Sequence, residues 1–272
     1  MVADNEGFLY PQVDMDTCID CALCEKVCNE LQPYEKREPL KVLAAINKNE
    51  EIRLKSSSGG IFYILAEKII KEDGVVFGAR FDENWQVVID YAEDMKEVEA
   101  FMGSKYVQAR MENAYKDVKR FLTDSRMVLF SGTPCQVAGL HKYLRKPYDN
   151  LLTVDFICHG TPSPKVWGMY LDEVVKEVKS ISSVEFRNKD KGWKDFSFNL
   201  RFNEGDKTAS MLSPYPTPGT AHLPFKSMVL GAQPRLTYLK RASMHGLTKG
   251  SVEPYAFRCW TCARSPCLLY TS

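Results

Sequence analysis

The chain reads as a mixed α/β protein with a largely parallel sheet, preceded by a short cysteine-rich module. Two observations predict this. Apolar strands at 75–81, 127–130 and 151–157 alternate with amphipathic helical stretches, the pattern of βα units. Ahead of them, Cys18, Cys21, Cys24 and Cys28 are crowded into eleven residues with the spacing C-x2-C-x2-C-x3-C.

That spacing is the run with which bacterial-type ferredoxins hold iron–sulfur clusters, and it predicts 4Fe–4S ligation and electron transfer. Structural zinc takes its ligands as separated pairs closing a tetrahedron, which fits four crowded thiols poorly. Asn29 stands where such ferredoxins usually carry proline. In two-cluster ferredoxins the fourth cysteine serves the other cluster, so Cys28 is a candidate for a second site.

Along the chain, Gly7 to Pro11 predicts a short strand and turn leading into the cysteine loop, and 35–55 reads as a charged connector without a period. Ser56 to Gly60 opens an amphipathic helix carrying Ile61, Leu65 and Ile69, stopped by Gly74. Strands follow at Val75 to Phe81 and Trp85 to Tyr91, then helices at Asp94 to Met102 and Glu112 to Leu122. Met127 to Phe130 is a strand running into Ser131-Gly132-Thr133-Pro134-Cys135. Thr133 is a natural N-cap with Pro134 at the first helical position, and Val137, Leu140, His141 and Leu144 continue at helical spacing. A buried strand at Leu151 to Ile157 leads to Cys158-His159-Gly160 and a helix to about Lys179.

Cys135 and Cys158 each follow the carboxyl end of a strand. Parallel strands place both thiols on one sheet edge, where open α/β sheets bind ligands. A thiol in a helix's first turn suits a metal ligand or a nucleophile. A small buried apolar residue is the plain alternative for each, and a backbone-bonded turn residue is the plain alternative for His159. The glycines at 59 and 60 would let helix N–H groups approach a phosphate or would simply loosen a helix start.

The bulk properties bound the function. The chain has 272 residues, 44% hydrophobic and 26% charged, which is a globular composition. A net charge of +1 offers no field for nucleic acid. No apolar run reaches the ~18 residues of a membrane span, and no signal peptide follows Met1, so a cytoplasmic location is expected. Nine cysteines in such a setting read as metal ligands or reactive thiols.

Seven stretches in order resemble the coenzyme F420 hydrogenase/dehydrogenase β-subunit family of iron–sulfur flavoproteins. They are Glu6 to Pro11, the cysteine run, Ser58-Gly59-Gly60, Gly103 to Gln108 (GSKYVQ), Leu129 to Gln136 (LFSGTPCQ), Asp155 to Gly160 (DFICHG) and Phe186 to Trp193 (FRNKDKGW), covering about 5–205. The resemblance implies a mixed α/β flavin domain preceded by a ferredoxin-like module. It also implies FAD exchanging hydride with a deazaflavin or other organic acceptor while clusters exchange single electrons with a protein donor or acceptor. Carried over by position, it makes Ser58, Gly59, Gly60, Gly103, Ser104, Lys105, Tyr106 and Thr133 cofactor-binding candidates. It makes Cys135 and Cys158 candidate ligands of a cluster beside the flavin, with a second cluster beyond it: Cys18, Cys21 and Cys24 are three ligands of the run's cluster nearer the flavin domain, and Cys28 is a candidate for a partner cluster. A non-catalytic electron-transfer module serving a separate reductase is the alternative. Arg187, Lys189, Lys191 and Lys194 around Trp193 read as a solvated charged turn, or as contacts to an anionic substrate or partner.

The expected division is a partial ferredoxin-like module at 1–34, the flavin domain at 35–206, a stretch at 207–266 where the resemblance fades, and an adapter scar at 267–272 that includes Cys267. Met1 reads as an internal methionine. A one-nucleotide shift over Met228 to Thr237 restores a family-like segment, which favours a frameshift. In the printed frame, however, Cys259 and Cys262 form a C-x2-C able to complete a site with Cys135 and Cys158.

Overall fold

A computed structural model describes residues 1–214 other than 6, 30, 34–38, 159, 178–179, 191, 193–196 and 205–206. His159, Lys191, Trp193, Lys194, Cys259, Cys262 and the stretch 267–272 therefore lie outside the described residues. Two compact units divide the described residues: 12–103 with 109–158, and 1–11 with 104–108 and 160–214.

The first unit is built on a four-stranded sheet of β3 (Val75–Phe81), β4 (Val87–Ala92), β5 (Val128–Gly132) and β6 (Leu151–Asp155), in the order β4-β3-β5-β6. The pairings β3/β5 and β5/β6 are parallel and β3/β4 is antiparallel, so the sheet is mixed and largely parallel as expected. Apolar residues continue on both faces of the central strands because helices cover both. Val75, Phe77, Val128 and Phe130 pack with α5 (Ala114–Thr123) and α6 (Pro134–Leu144) through Val118, Phe121 and Leu140. Val76 and Leu129 face Ala66 and Ile69 of α3 (Ile61–Lys71), together with Val98 of α4 (Met95–Val98) and Phe101 of the 3-10 turn that follows it. Each fully buried Phe or Leu here contributes about 1.5–3 kcal/mol.

Three local expectations change. The connector contains a short helix, α2 (Glu50–Lys55), held at its start by Asn49, whose side chain accepts the N–H groups of Glu51 and Ile52. The serines before α3 close that helix: the Ser56 hydroxyl donates to the Ile52 carbonyl at 2.7 Å, and Gly60, with φ +77°, is the residue that starts α3. The strand expected over 151–157 ends at Asp155 and is not fully buried, because β6 is the sheet's edge and Leu152 is 37% exposed.

In the second unit, β1 (Val2–Ala3) pairs with β2 (Leu9–Tyr10), and β7 (Ile181–Asn188), β8 (Ser197–Glu204) and β9 (Lys207–Pro214) form an antiparallel meander. Helix α7 (Pro164–Glu177) is capped by Ser163, whose hydroxyl accepts the Lys165 N–H at 3.1 Å. Its Trp167 and Tyr170 join Phe186 and Phe198 in an aromatic core with ring centroids 5.4–5.9 Å apart. Phe186, which opens the FRNKDKGW stretch, is a core residue of a strand, and Arg187, expected in a charged turn, also lies in that strand. The strand's last residue, Asn188, and Lys189 just beyond it are buried rather than solvated. No helix among the described residues is long and apolar enough to cross a membrane.

Two glycines test this packing in opposite directions. A Cβ on Gly78 would stand 2.7 Å from the Phe101 ring, whereas one on Gly168, inside α7, would meet nothing within 4 Å. Gly78→Ala is expected to lower stability by about 1–3 kcal/mol through overpacking. Gly168→Ala is expected to raise it by about 0.5–1 kcal/mol by restricting the unfolded chain. Denaturant titration of the two variants checks both signs.

Candidate functional site

The cysteine run lies on a loop that makes one short helical turn, α1 (Leu23–Lys26), with no buried residue of its own. Cys18, Cys21 and Cys24 are exposed free thiols and Cys28 is half-buried. Between them Asp20 and Ala22 sit in the left-handed region, with φ of 53° and 55°. That conformation costs an L-residue about 1–2 kcal/mol, and alternating backbone handedness turns successive N–H groups into a concavity of the kind that receives phosphates and iron–sulfur groups. Soft thiolates on a loop shaped in this way fit an iron–sulfur cluster. Among the described residues no three His, Cys, Asp or Glu side chains form a ready metal cage. Exposed thiols on one loop are the arrangement that a metal gathers as it binds.

The far end of the loop is tied down. Asn29 donates through Nδ2 to the Cys135 carbonyl at 3.3 Å, and Lys142 donates through Nζ to the Cys28 carbonyl at 2.9 Å and also to the Gln32 carbonyl. Both acceptors of the first two bonds belong to cysteines, one in the run and one on α6. Asn29 is the residue noted as replacing proline. Proline could not have made this contact, since it has no side-chain donor.

Helix α6 begins as expected. Thr133 is its N-cap and Pro134 the first helical residue, and Gln136 closes a capping box by accepting the Thr133 N–H at 2.9 Å. The Thr133 hydroxyl lies 3.0 Å from Cys135 Sγ, so it can donate to a thiolate there. Tyr115 donates its hydroxyl to the Gln136 carbonyl at 2.8 Å. Burial first, and the nearby Cys135 thiolate second, push the Tyr115 phenol well above its ordinary value, which keeps it a neutral donor. Cys158 follows β6 and is buried. Because Gly132 of β5 is in parallel register with Asp155 of β6, both strands end at the same edge, the one predicted for Cys135 and Cys158.

Of the cofactor-binding candidates, Ser58 is exposed, Gly59 half-buried and Gly60 buried. Asn47 pins this turn, its N–H donating to the Gly59 carbonyl at 2.7 Å and its side-chain amide to the Gly60 carbonyl at 3.4 Å. A Cβ on Gly59 would come within 2.9 Å of the Ala45 carbonyl oxygen, so the glycine is required by close backbone approach. The start of α3 is left without a capping side chain at Gly60, an opening that suits an anionic group. Gly103 is exposed with φ +77°. Ser104, Lys105 and Tyr106 belong to the second unit, where the Tyr106 ring meets Phe186 edge-on at 5.6 Å. Burial draws the Lys105 ammonium down from 10.5 to about 7. Burial, helped by Arg187, draws Lys189 down to about 8. Asn29, Asn47, Tyr115 and Lys142 were not among the expected site residues. Only Asn29 had carried a signal, as a departure from the usual run.

An α/β sheet whose carboxyl edge carries two cysteines, with a ferredoxin-spaced loop fastened to the helix leaving that edge, defines the class of the protein. Residues 125–222 match the family described as the carboxyl-terminal part of the beta subunit of coenzyme F420 hydrogenase/dehydrogenase. That segment of the chain is similar to the coenzyme F420 hydrogenase/dehydrogenase β-subunit family. No curated protein matches the chain. Among solved structures, a chain of the F420-reducing NiFe hydrogenase complex from Methanosarcina barkeri is similar to it at 16% identity. That likeness covers 79% of this chain and 97% of that one, with a TM-score of 0.42.

The lowered Lys105 pKa has a consequence for stability. The folded state disfavours the charged amine, so the penalty is fully felt below about pH 7 and is relieved as pH rises from 7 toward 10.5. Lys105→Met is expected to raise the melting temperature of the cofactor-free protein at pH 6.5, with the gap over wild type closing by pH 10. Paired thermal melts at the two pH values check this.

Proposed function

We propose that the chain is an iron–sulfur flavoprotein oxidoreductase, passing electrons between 4Fe–4S clusters and FAD and exchanging hydride with a deazaflavin-type or other organic acceptor. The observation that carries the reading is the ferredoxin-spaced loop bonded to α6 beside Cys135, in a chain whose residues 125–222 match this family's model. FAD supplies the conversion between two-electron and one-electron chemistry that such a route needs.

The chain's own residues have separate tasks in this reading. Cys18, Cys21 and Cys24 would ligate the outer cluster, with Cys28 completing it or serving a neighbouring one, and the left-handed turns at Asp20 and Ala22 would let backbone N–H groups of the loop donate to it. Cys135 and Cys158 present thiolates at the sheet edge, where Thr133 donates to Cys135 and steadies its charge. Ser58, Gly59 and Gly60 offer backbone N–H groups to a flavin phosphate. Gly103 gives its turn the positive φ it requires, and Ser104 and Tyr106 border the turn's lysine. Lys105 binds best as a cation, and an approaching phosphate would raise its lowered pKa. A cluster held by this loop would supply one-electron exchange with a protein partner.

Anaerobic purification with iron reconstitution tests the reading. A brown protein with about one flavin per chain and about four irons per occupied run supports it. The triple variant Cys18→Ser, Cys21→Ser, Cys24→Ser should lose one cluster's iron and keep flavin. Gly60→Val, which forces a β-branched residue into φ +77°, should lose flavin and keep that iron. Iron without flavin would favour the electron-transfer module, and a colourless zinc protein would remove both.

A further inference from the structure

The bonds from Asn29 and Lys142 join segments 106 and 114 residues apart in sequence and converge on one helix. Lys142 lies seven residues, or two turns, beyond Cys135 on α6, which places both on one face of the helix. The Cys28 carbonyl accepts twice, from Lys142 and from the Gln32 N–H at 2.9 Å. The loop's last ligand is therefore clamped from its own chain and from the helix. Asn29 Oδ1 is buried and unpaired among the described residues, so the side chain is held at some cost by its amide end.

We infer that Asn29 and Lys142 are positioning residues. They latch the iron–sulfur loop onto the helix that opens with Cys135, fixing the separation between the loop's metal centre and the thiols of the sheet edge. Lys142 also sets a positive charge beside Cys28. The redox part of this inference rests on the iron–sulfur reading of the run; the latch itself does not. A cation held against a thiolate cluster favours its reduced, more negative state, so Lys142 raises the potential of that centre.

The full chain with Asn29→Leu, Lys142→Met and Lys142→Arg tests it in two stages. Hydrogen–deuterium exchange on protein without added iron is expected to show peptides spanning 23–33 exchanging about tenfold faster in the Asn29→Leu, Lys142→Met double variant. Peptides from β5 should be unchanged, and Asn29→Leu combined with Lys142→Arg should recover much of the protection. Equal exchange in wild type and double variant overturns the latch. After anaerobic reconstitution, redox titration followed by electron paramagnetic resonance should place the Lys142→Met centre at a more negative potential than wild type. Lys142→Arg should be restored toward wild type, with iron content the same in all. An unmoved potential in Lys142→Met overturns the electrostatic role. An exchange contrast in a protein that takes up no iron at the run supports the latch and sinks the iron–sulfur reading.

Discussion

Strand β5 is the member on which the rest of the first unit depends. It pairs in parallel with β3 on one side and β6 on the other, and its Val128, Leu129 and Phe130 are wholly removed from solvent. A parallel central strand must leave the sheet at the same edge as its neighbours, so its exit fixes where the following chemistry lies. At that exit Gly132 admits the turn: a Cβ there would press on the Phe130 ring and on Gln136, the capping residue of α6. Thr133 and Pro134 then start the helix, and the helix carries Cys135 and, two turns on, Lys142. A change in the packing of Phe130 would therefore be felt at the thiol and at the loop bound to the helix.

Elements whose information is local were legible in the sequence. The bounds of β3 match the strand read over Val75 to Phe81, and the start of α6 follows from Thr133, Pro134 and Gln136 alone. The parallel order of β3, β5 and β6 followed from the alternation of strands and helices. The run Cys18 to Cys28 announced its ligand chemistry through spacing, yet nothing in it says which surface it docks on. That depends on Lys142, more than a hundred residues away, and side-chain to carbonyl bonds over such distances leave no period to read.

The strands β7 to β9 were hidden for a different reason. Their alternation is broken by polar residues, Asn188 and Asn199, that the fold buries rather than exposes: both donate to the half-exposed Glu185 at 3.0 Å, and Asn188 also reaches the exposed Asp190. Charged and amide residues in sequence suggest solvent, and only their mutual bonding offsets the cost of burial. The same logic hid Lys189, whose stem lies with the buried residues of the turn while its amine loses water and becomes easier to deprotonate.

The cysteine loop then stands out as the least self-sufficient part of the unit. Helix α1 has four residues and buries none, too short to persist on propensity alone. Two of the loop's residues, Asp20 and Ala22, hold a backbone conformation that local energetics oppose. Order must be supplied from outside, at one end by the bonds from Asn29 and Lys142 and at the other by whatever gathers Cys18, Cys21 and Cys24. A loop restrained at one end loses less entropy when its thiols close on a metal. The helix that presents Cys135 therefore also prepares the loop, and assembly of the two thiol sets is coupled through the backbone of Cys28.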